Sequence, residues 1–103
     1  MQKYRAQRTE VDGILFASKR EAQRYGVLKL MQAAQEIRSL ELQPSYSIVI
    51  KDKTVCKVNL DFRYINCKTG KEVIEDSKGF DNPLSSLKRK LVNAQYGIEV
   101  ILV

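Results

Sequence analysis

The sequence predicts a mixed α/β domain, α+β in character, with the element order α-β-β-β-α-β. Three observations carry this expectation. Residues 18–36 contain no proline, are rich in Ala, Leu, Gln, Arg and Glu, and open with a capping signal. Segments between residues 46 and 78 carry β-type patterns divided by turn signals. Asn82-Pro83 then opens a second helix that Gly97 closes, and the apolar residues 98–103 follow as a last strand. At 103 residues the chain fits a single domain spanning 1–103.

Taken in order, residues 1–13 are polar and basic and end in the turn signal Asp12-Gly13. They read as a loose basic N-terminal arm with a short strand running up to Phe16. Ser18 and Glu21 form a capping box, in which each side chain satisfies the other's free backbone N–H. Gly26 is the weak point of the helix that follows. Leu42-Gln43-Pro44 breaks any helix. Tyr46, Ile48, Val49 and Ile50 read as a first strand, closed by the charged turn Lys51-Asp52-Lys53. Over residues 55–65, Val58, Leu60, Phe62 and Tyr64 alternate with Lys57, Asn59, Asp61 and Arg63, which predicts one continuous second strand. A turn containing Thr69-Gly70 leads to a third strand over residues 72–78. Leu84, Leu87, Leu91 and Ala94 share one face of the second helix. The three central strands are expected to form an antiparallel meander. The second helix then crosses to a parallel last strand, and one helix covers each face of the sheet.

Composition removes several chemistries. The chain has no histidine, so Ser-His-Asp triads, Cys-His pairs and histidine metal clusters cannot be built. Acid-base work must fall to carboxylates, lysine, tyrosine or metal-activated water. Cys56 and Cys67 are too few for a structural zinc site, and a reduced intracellular protein is expected. The net charge of +6 and pI near 9.4 suit a polyanion partner such as nucleic acid, though solubility alone also explains such a charge. No signal peptide is visible, and no apolar run approaches the roughly 20 residues of a membrane span, so a cytoplasmic, non-membrane protein is expected.

The chemistry concentrates in the middle strands. In Ile74-Glu75-Asp76-Ser77-Lys78-Gly79, alternation puts Ile74, Asp76 and Lys78 on one face and Glu75 and Ser77 on the other. Adjacent strands lie about 4.8 Å apart, so Asp61 stands beside Asp76 and Lys78 when the register agrees. Two close carboxylates suit a hard cation such as Mg²⁺ or Mn²⁺. Such a cation polarises a phosphate and acidifies water, while a nearby lysine orients or deprotonates that water or steadies the developing charge. This is the set that phosphodiester hydrolysis needs. The bland alternative makes Asp61 an exposed strand residue paired with Arg63 or Lys57, and Asp76 with Lys78 a surface ion pair of small worth. An Asp in mid-strand runs against β-propensity, which favours the functional reading. Glu75 also fits an ExxK pattern, but alternation places it on the wrong face. Glu21 has a complete explanation in the capping box, yet helical spacing also puts it on the stripe of Tyr25 and Leu28.

Asp61 followed by Asp76-Ser77-Lys78 resembles the signature of the PD-(D/E)XK nucleases, and α-β-β-β-α-β resembles the restriction-endonuclease-like core of that superfamily. More specifically, the chain is similar to a family of small phage and prophage endonucleases related to archaeal-type Holliday junction resolvases. The matching stretches are residues 16–22, Leu40-Glu41-Leu42-Gln43-Pro44, Leu60-Asp61-Phe62, residues 75–79, residues 87–91 and Tyr96-Gly97-Ile98. The resemblance implies a homodimeric, Mg²⁺- or Mn²⁺-dependent endonuclease acting on DNA, branched or duplex, in the cytoplasm of a bacterial host. It implies Asp61 and Asp76 as metal-binding acids, the Ser77 carbonyl as a further ligand, Lys78 as the catalytic lysine and Glu21 as an additional acid beside the metal. Leu60 stands where the superfamily often has proline. Gln43 lies in a matching segment without an evident chemical role.

Lys88, Arg89 and Lys90 form a basic cluster on the second helix, either a solvated face or a set of phosphate contacts. Lys3, Arg5, Arg8, Lys19 and Arg20 would extend that surface. The competing functions are a nicking, repair or restriction-like nuclease with another DNA substrate, a transposase-type cutting subunit, and a non-catalytic basic DNA-binding module.

Overall fold

The computed structural model describes residues 7–77 and 82–103. Asp12 and Gly13 both take positive φ, +54° and +76°, which reverses the chain within two residues. They join β1 (Thr9–Val11) and β2 (Ile14–Phe16) as an antiparallel hairpin. The loose arm expected over 1–13 is therefore shorter: residues 9–13 belong to this hairpin, because Val11 and Ile14 pack against the core under the first helix. Lys3 and Arg5 lie outside the described residues.

Ser18 opens α1 (Lys19–Ala33), its Oγ accepting the Glu21 N–H at 3.1 Å. The helix stops short of the expected residue 36, and Gln35 turns the chain with φ +64°. A strand that sequence reasoning did not find follows, β3 (Ile37–Leu42). Its pattern is hidden by a register shift between Arg38 and Glu41, where Ser39 has φ +59°. A bulge of this kind resets the alternation on which strand recognition depends.

β4 (Ser45–Ile50) and β5 (Lys53–Asn59) form a two-stranded hairpin through Lys51-Asp52, both at positive φ. The continuous strand expected over residues 55–65 is corrected here. The chain leaves β5, passes Leu60 and Asp61, and resumes as β6 (Phe62–Asn66) in a different sheet. Val58 and Leu60 pack with Tyr46, Ile48, Ile74 and Val92, whereas Phe62 and Tyr64 pack with Phe16, Ala22, Tyr25, Leu28 and Ile37. One unbroken alternation thus serves two cores, and a period of two cannot reveal the change of core.

β7 (Glu72–Asp76), α2 (Pro83–Tyr96) and β8 (Val100–Leu102) complete the fold. The main sheet has the order β3-β6-β7-β8, antiparallel except for the parallel pair β7–β8. The parallel last strand is as expected, but the meander is made by β3, β6 and β7, not by the strand at residues 46–50. The result is a mixed α+β domain: a four-stranded mixed sheet with α1 over one core and α2 over the other.

Asn82 caps α2, its Oδ1 accepting the Ser85 N–H at 2.9 Å, and Gly97 ends it at φ +67°. The expected apolar face is wrong. Leu84 and Leu87 are 61% and 51% exposed and Ala94 is exposed; of the four only Leu91 packs against the core, beside the fully buried Val92. The helix turns Ser85, Lys88, Arg89 and Val92 inward because its first half lies over the end of β7, where a carboxylate sits, and only its second half meets apolar core. Gln95 and Tyr96 then fasten the hairpin: Gln95 accepts the Val49 N–H at 2.9 Å, and both donate to the Ser47 carbonyl, at 3.0 and 2.7 Å. Cys56 and Cys67 are free thiols. Among the described residues, no helix is long and apolar enough to cross a membrane.

Candidate functional site

β7 sorts its acids by alternation, as the pattern requires. Glu75 is fully buried towards α1, where Arg24 donates through Nε and Nη2 to its two carboxylate oxygens, each at 2.7 Å. The Tyr64 hydroxyl donates to the same carboxylate. Burial, with the bond to Glu75, pushes the Tyr64 hydroxyl up to about 12, so it stays a donor at neutral pH. Glu75 is thus committed to an ion pair behind the strand. Asp76, 3% exposed, points to the other side, where Arg89 approaches its carboxylate at 3.9 Å.

Asp61 sits at the break between β5 and β6, a place set by the main chain. Its N–H donates to the Glu75 carbonyl at 3.1 Å, and its carbonyl accepts the Gln43 N–H at 3.0 Å. The side chain then reaches the end of β7, where Oδ2 accepts the Ser77 N–H at 2.6 Å. Burial is the main cause that pushes the Asp61 carboxyl up to about 7. The Ser77 N–H opposes that rise, and the charges of Glu21 and Asp76 add to it. Arg63 is not a partner of Asp61, since it pairs with Glu41 at 3.3 Å and Glu72 at 3.8 Å. The bland reading of Asp61 as an exposed, paired strand residue therefore fails.

Glu21, in the first turn of α1, is 6% exposed. Its backbone serves the Ser18 cap while its Oε2 accepts from the Gln43 amide at 3.3 Å. Gln43 is the residue that sequence reasoning left without a role. It holds a left-handed φ of +54°, binds Asp61 through its N–H and reaches Glu21 with its side chain. The only sequence signal for it is its place in the segment Leu40 to Pro44, since no periodicity marks it. Glu21, Asp61 and Asp76 thus form one electrostatic group supplied by a helix, a strand break and a strand end. Lys78 lies outside the described residues.

The basic residues are distributed differently from expectation. Arg89 is no surface cation: its side chain is 13% exposed and faces Asp76. Lys88 is half-buried and Lys90 exposed. Lys19 and Arg8 are exposed, and Arg20 donates twice to the Val103 carbonyl, at 3.2 and 3.0 Å.

The donor set at the acids consists of oxygens, which suits a hard divalent cation. Two further observations fit one. The Asp61 carboxyl is raised first by burial and further by the charges of Glu21 and Asp76, which a cation would offset. Ser77 Oγ is buried with no hydrogen-bond partner among the described residues. Among those residues, no three acidic side chains stand close enough to cage an ion directly. Magnesium commonly takes only one or two carboxylates and keeps several waters. Asp61 and Asp76 meet that requirement.

Fold and site together define an α+β domain that gathers carboxylates from three elements around the end of an inner strand of a mixed sheet. The chain belongs to the family described as "Protein of unknown function (DUF1064)", whose model matches residues 1–102. No curated protein and no solved structure matches the chain.

Proposed function

We propose that this protein is a metal-dependent endodeoxyribonuclease of the PD-(D/E)XK type, and within that class a Holliday junction resolvase of phage or prophage origin working as a homodimer in the bacterial cytoplasm. The observation that carries the reading is the grouping of Asp61 and Asp76, with Glu21 behind them, in surroundings that push the Asp61 carboxyl up to about 7. A carboxyl raised in this way within a group of acids is a mark of functional sites. The element order supports a restriction-endonuclease-like core, with Asp61 directly before β6 and Asp76 at the end of β7 at one end of the sheet.

Asp61, Asp76 and the Ser77 carbonyl would hold magnesium or manganese, with Glu21 meeting the ion through water. The ion, when bound, supplies stabilisation of the charge that develops on the phosphate. The chain's own residues orient the site. The Ser77 N–H fixes Asp61, the Gln43 amide fixes Glu21, and the Arg24–Glu75–Tyr64 group anchors β7 from behind so that Asp76 keeps its place. Lys78, two residues beyond Asp76, is assigned the role of positioning or deprotonating the attacking water. Two symmetric cuts in a junction need two such sites, hence the homodimer. Leu84 and Leu87, exposed on α2, supply apolar surface for it.

The test is cleavage of a labelled four-way junction beside linear duplex, with magnesium, by the wild type and Asp76→Asn. Paired nicks in the junction alone, lost in the variant, are the expected result. Duplex cutting as well would keep the nuclease and remove the junction specificity. Binding without cutting by the wild type would favour a silent DNA-binding module and overturn the reading.

A further inference from the structure

Between the β4–β5 hairpin and α2 lies a pocket of about 180 Å³, room for about six water molecules at ~30 Å³ each. Its polar lining, among the described residues, is Lys57 and Asn59 from β5, Asp76 from β7, and Ser85, Lys88 and Arg89 from α2. Three cations thus line the pocket against the one carboxylate of Asp76, with Asp61 and Glu21 beyond it and outside the lining. Among the described residues neither Lys57 nor Lys88 forms an ion pair, and Arg89 stands 3.9 Å from Asp76. A pocket with this excess of positive charge, beside amide and hydroxyl groups that donate hydrogen bonds, suits an anion with several acceptor oxygens.

The fold explains why the pocket exists. α2 would bury more apolar surface by turning Leu84 and Leu87 inward. It instead presents Ser85, Lys88 and Arg89 to the end of β7. The opposite wall is held in place by Gln95 and Tyr96, which fasten the hairpin to the same helix through Ser47 and Val49. Lys57 is paired in register with Ser47, so those bonds fix the strand position that carries it.

We propose that this pocket is a phosphoryl-binding site, with Lys57 and Lys88 as its ligand-contacting cations, and that it seats a backbone phosphate of the nucleic-acid strand beside Asp76. The site rests on the nuclease reading for its occupant, but its charge and shape do not depend on that reading. It gives the two-stranded hairpin, which lies outside the main sheet, a role as one jaw of the strand-binding surface.

Binding is measured in chelator, where no cutting occurs, by anisotropy of a fluorescent duplex over roughly 50 to 300 mM salt. Wild type, Lys57→Gln, Lys88→Gln and, as a charge control on the outer face of α1, Lys29→Gln are compared. Each lost phosphate contact lowers the slope of log K against log salt by about 0.9. That loss is expected for Lys57→Gln and Lys88→Gln and not for Lys29→Gln. Equal slopes for Lys57→Gln and Lys29→Gln would overturn the proposal. Amide shifts at Asn59 and Ser85 are then followed with inorganic phosphate, with a 5′-phosphorylated oligonucleotide and with its 5′-hydroxyl counterpart. Shifts with both oligonucleotides indicate a backbone diester, the expected result. Shifts confined to the phosphorylated one, or to inorganic phosphate, would replace the strand backbone by a terminal or free phosphate and overturn that part. Slope loss in a protein that never cuts would leave the pocket standing and remove the nuclease. Asp76-dependent cutting with an unchanged Lys57→Gln slope would do the reverse.

Discussion

Replacing Asp61 by Asn should stabilise the metal-free protein while destroying its response to magnesium. Asparagine keeps an oxygen to accept the Ser77 N–H, now at 2.6 Å, and removes the charge that burial, Glu21 and Asp76 all oppose. Raising a carboxyl from 3.8 to about 7 corresponds to roughly 4 kcal/mol at ~1.4 kcal/mol per pH unit. Asp61 is only partly buried, and screening by water reduces this to about 2 kcal/mol. The sign follows from proton binding. With its folded value above its unfolded one, Asp61 holds a proton more tightly in the folded chain, so stability falls as pH rises from about 4 to about 7. At about pH 8 in chelator, Asp61→Asn should therefore melt higher by about 8 °C, at roughly 4 °C per kcal/mol. Near pH 5 the advantage should shrink, since the wild-type carboxyl is then largely protonated. Added magnesium should raise the melting temperature of the wild type and leave the variant nearly unchanged. A variant less stable than wild type at about pH 8 in chelator would refute the reasoning, because Asp61 would then act as a structural anchor for Ser77 and not as a destabilised acid.

The other predictions concern residues that support the acids. Arg24→Met leaves the Glu75 carboxylate buried without its cation and should cost about 3–5 kcal/mol, read as a lower urea midpoint. Adding Glu75→Leu should recover much of that loss, and a double variant no better than the single one would show that the pair does not act as a unit. Gln43→Ala removes the amide that meets Glu21 and should weaken magnesium binding about tenfold with little change in stability, measured by titration calorimetry. Unchanged affinity would make the Gln43 contact incidental.

Local chemistry made much of this molecule legible. Ser18 and Asn82 have the side chains that cap a helix, and Gly97 has the conformational freedom to end one, so α1 and α2 start where the pattern places them. The alternation along Ile74, Glu75 and Asp76 likewise sorts Glu75 and Asp76 to opposite sides of the strand. The failures share a cause. β3 was hidden by a bulge at Ser39, and the break at Leu60-Asp61 was hidden by an alternation that continues through it.

Periodicities, caps and short-range neighbours were legible in the chain alone, because they depend on residues a few positions apart. That Phe62 and Tyr64 serve a different core from Val58 and Leu60, and that α2 turns Arg89 inward and Leu87 outward, came from packing across the whole chain. Packing also brought Gln43 to both Glu21 and Asp61. Those choices depend on which surfaces remain to be buried once the sheet has formed, and on charges meeting across long stretches of chain, and neither is written in local spacing.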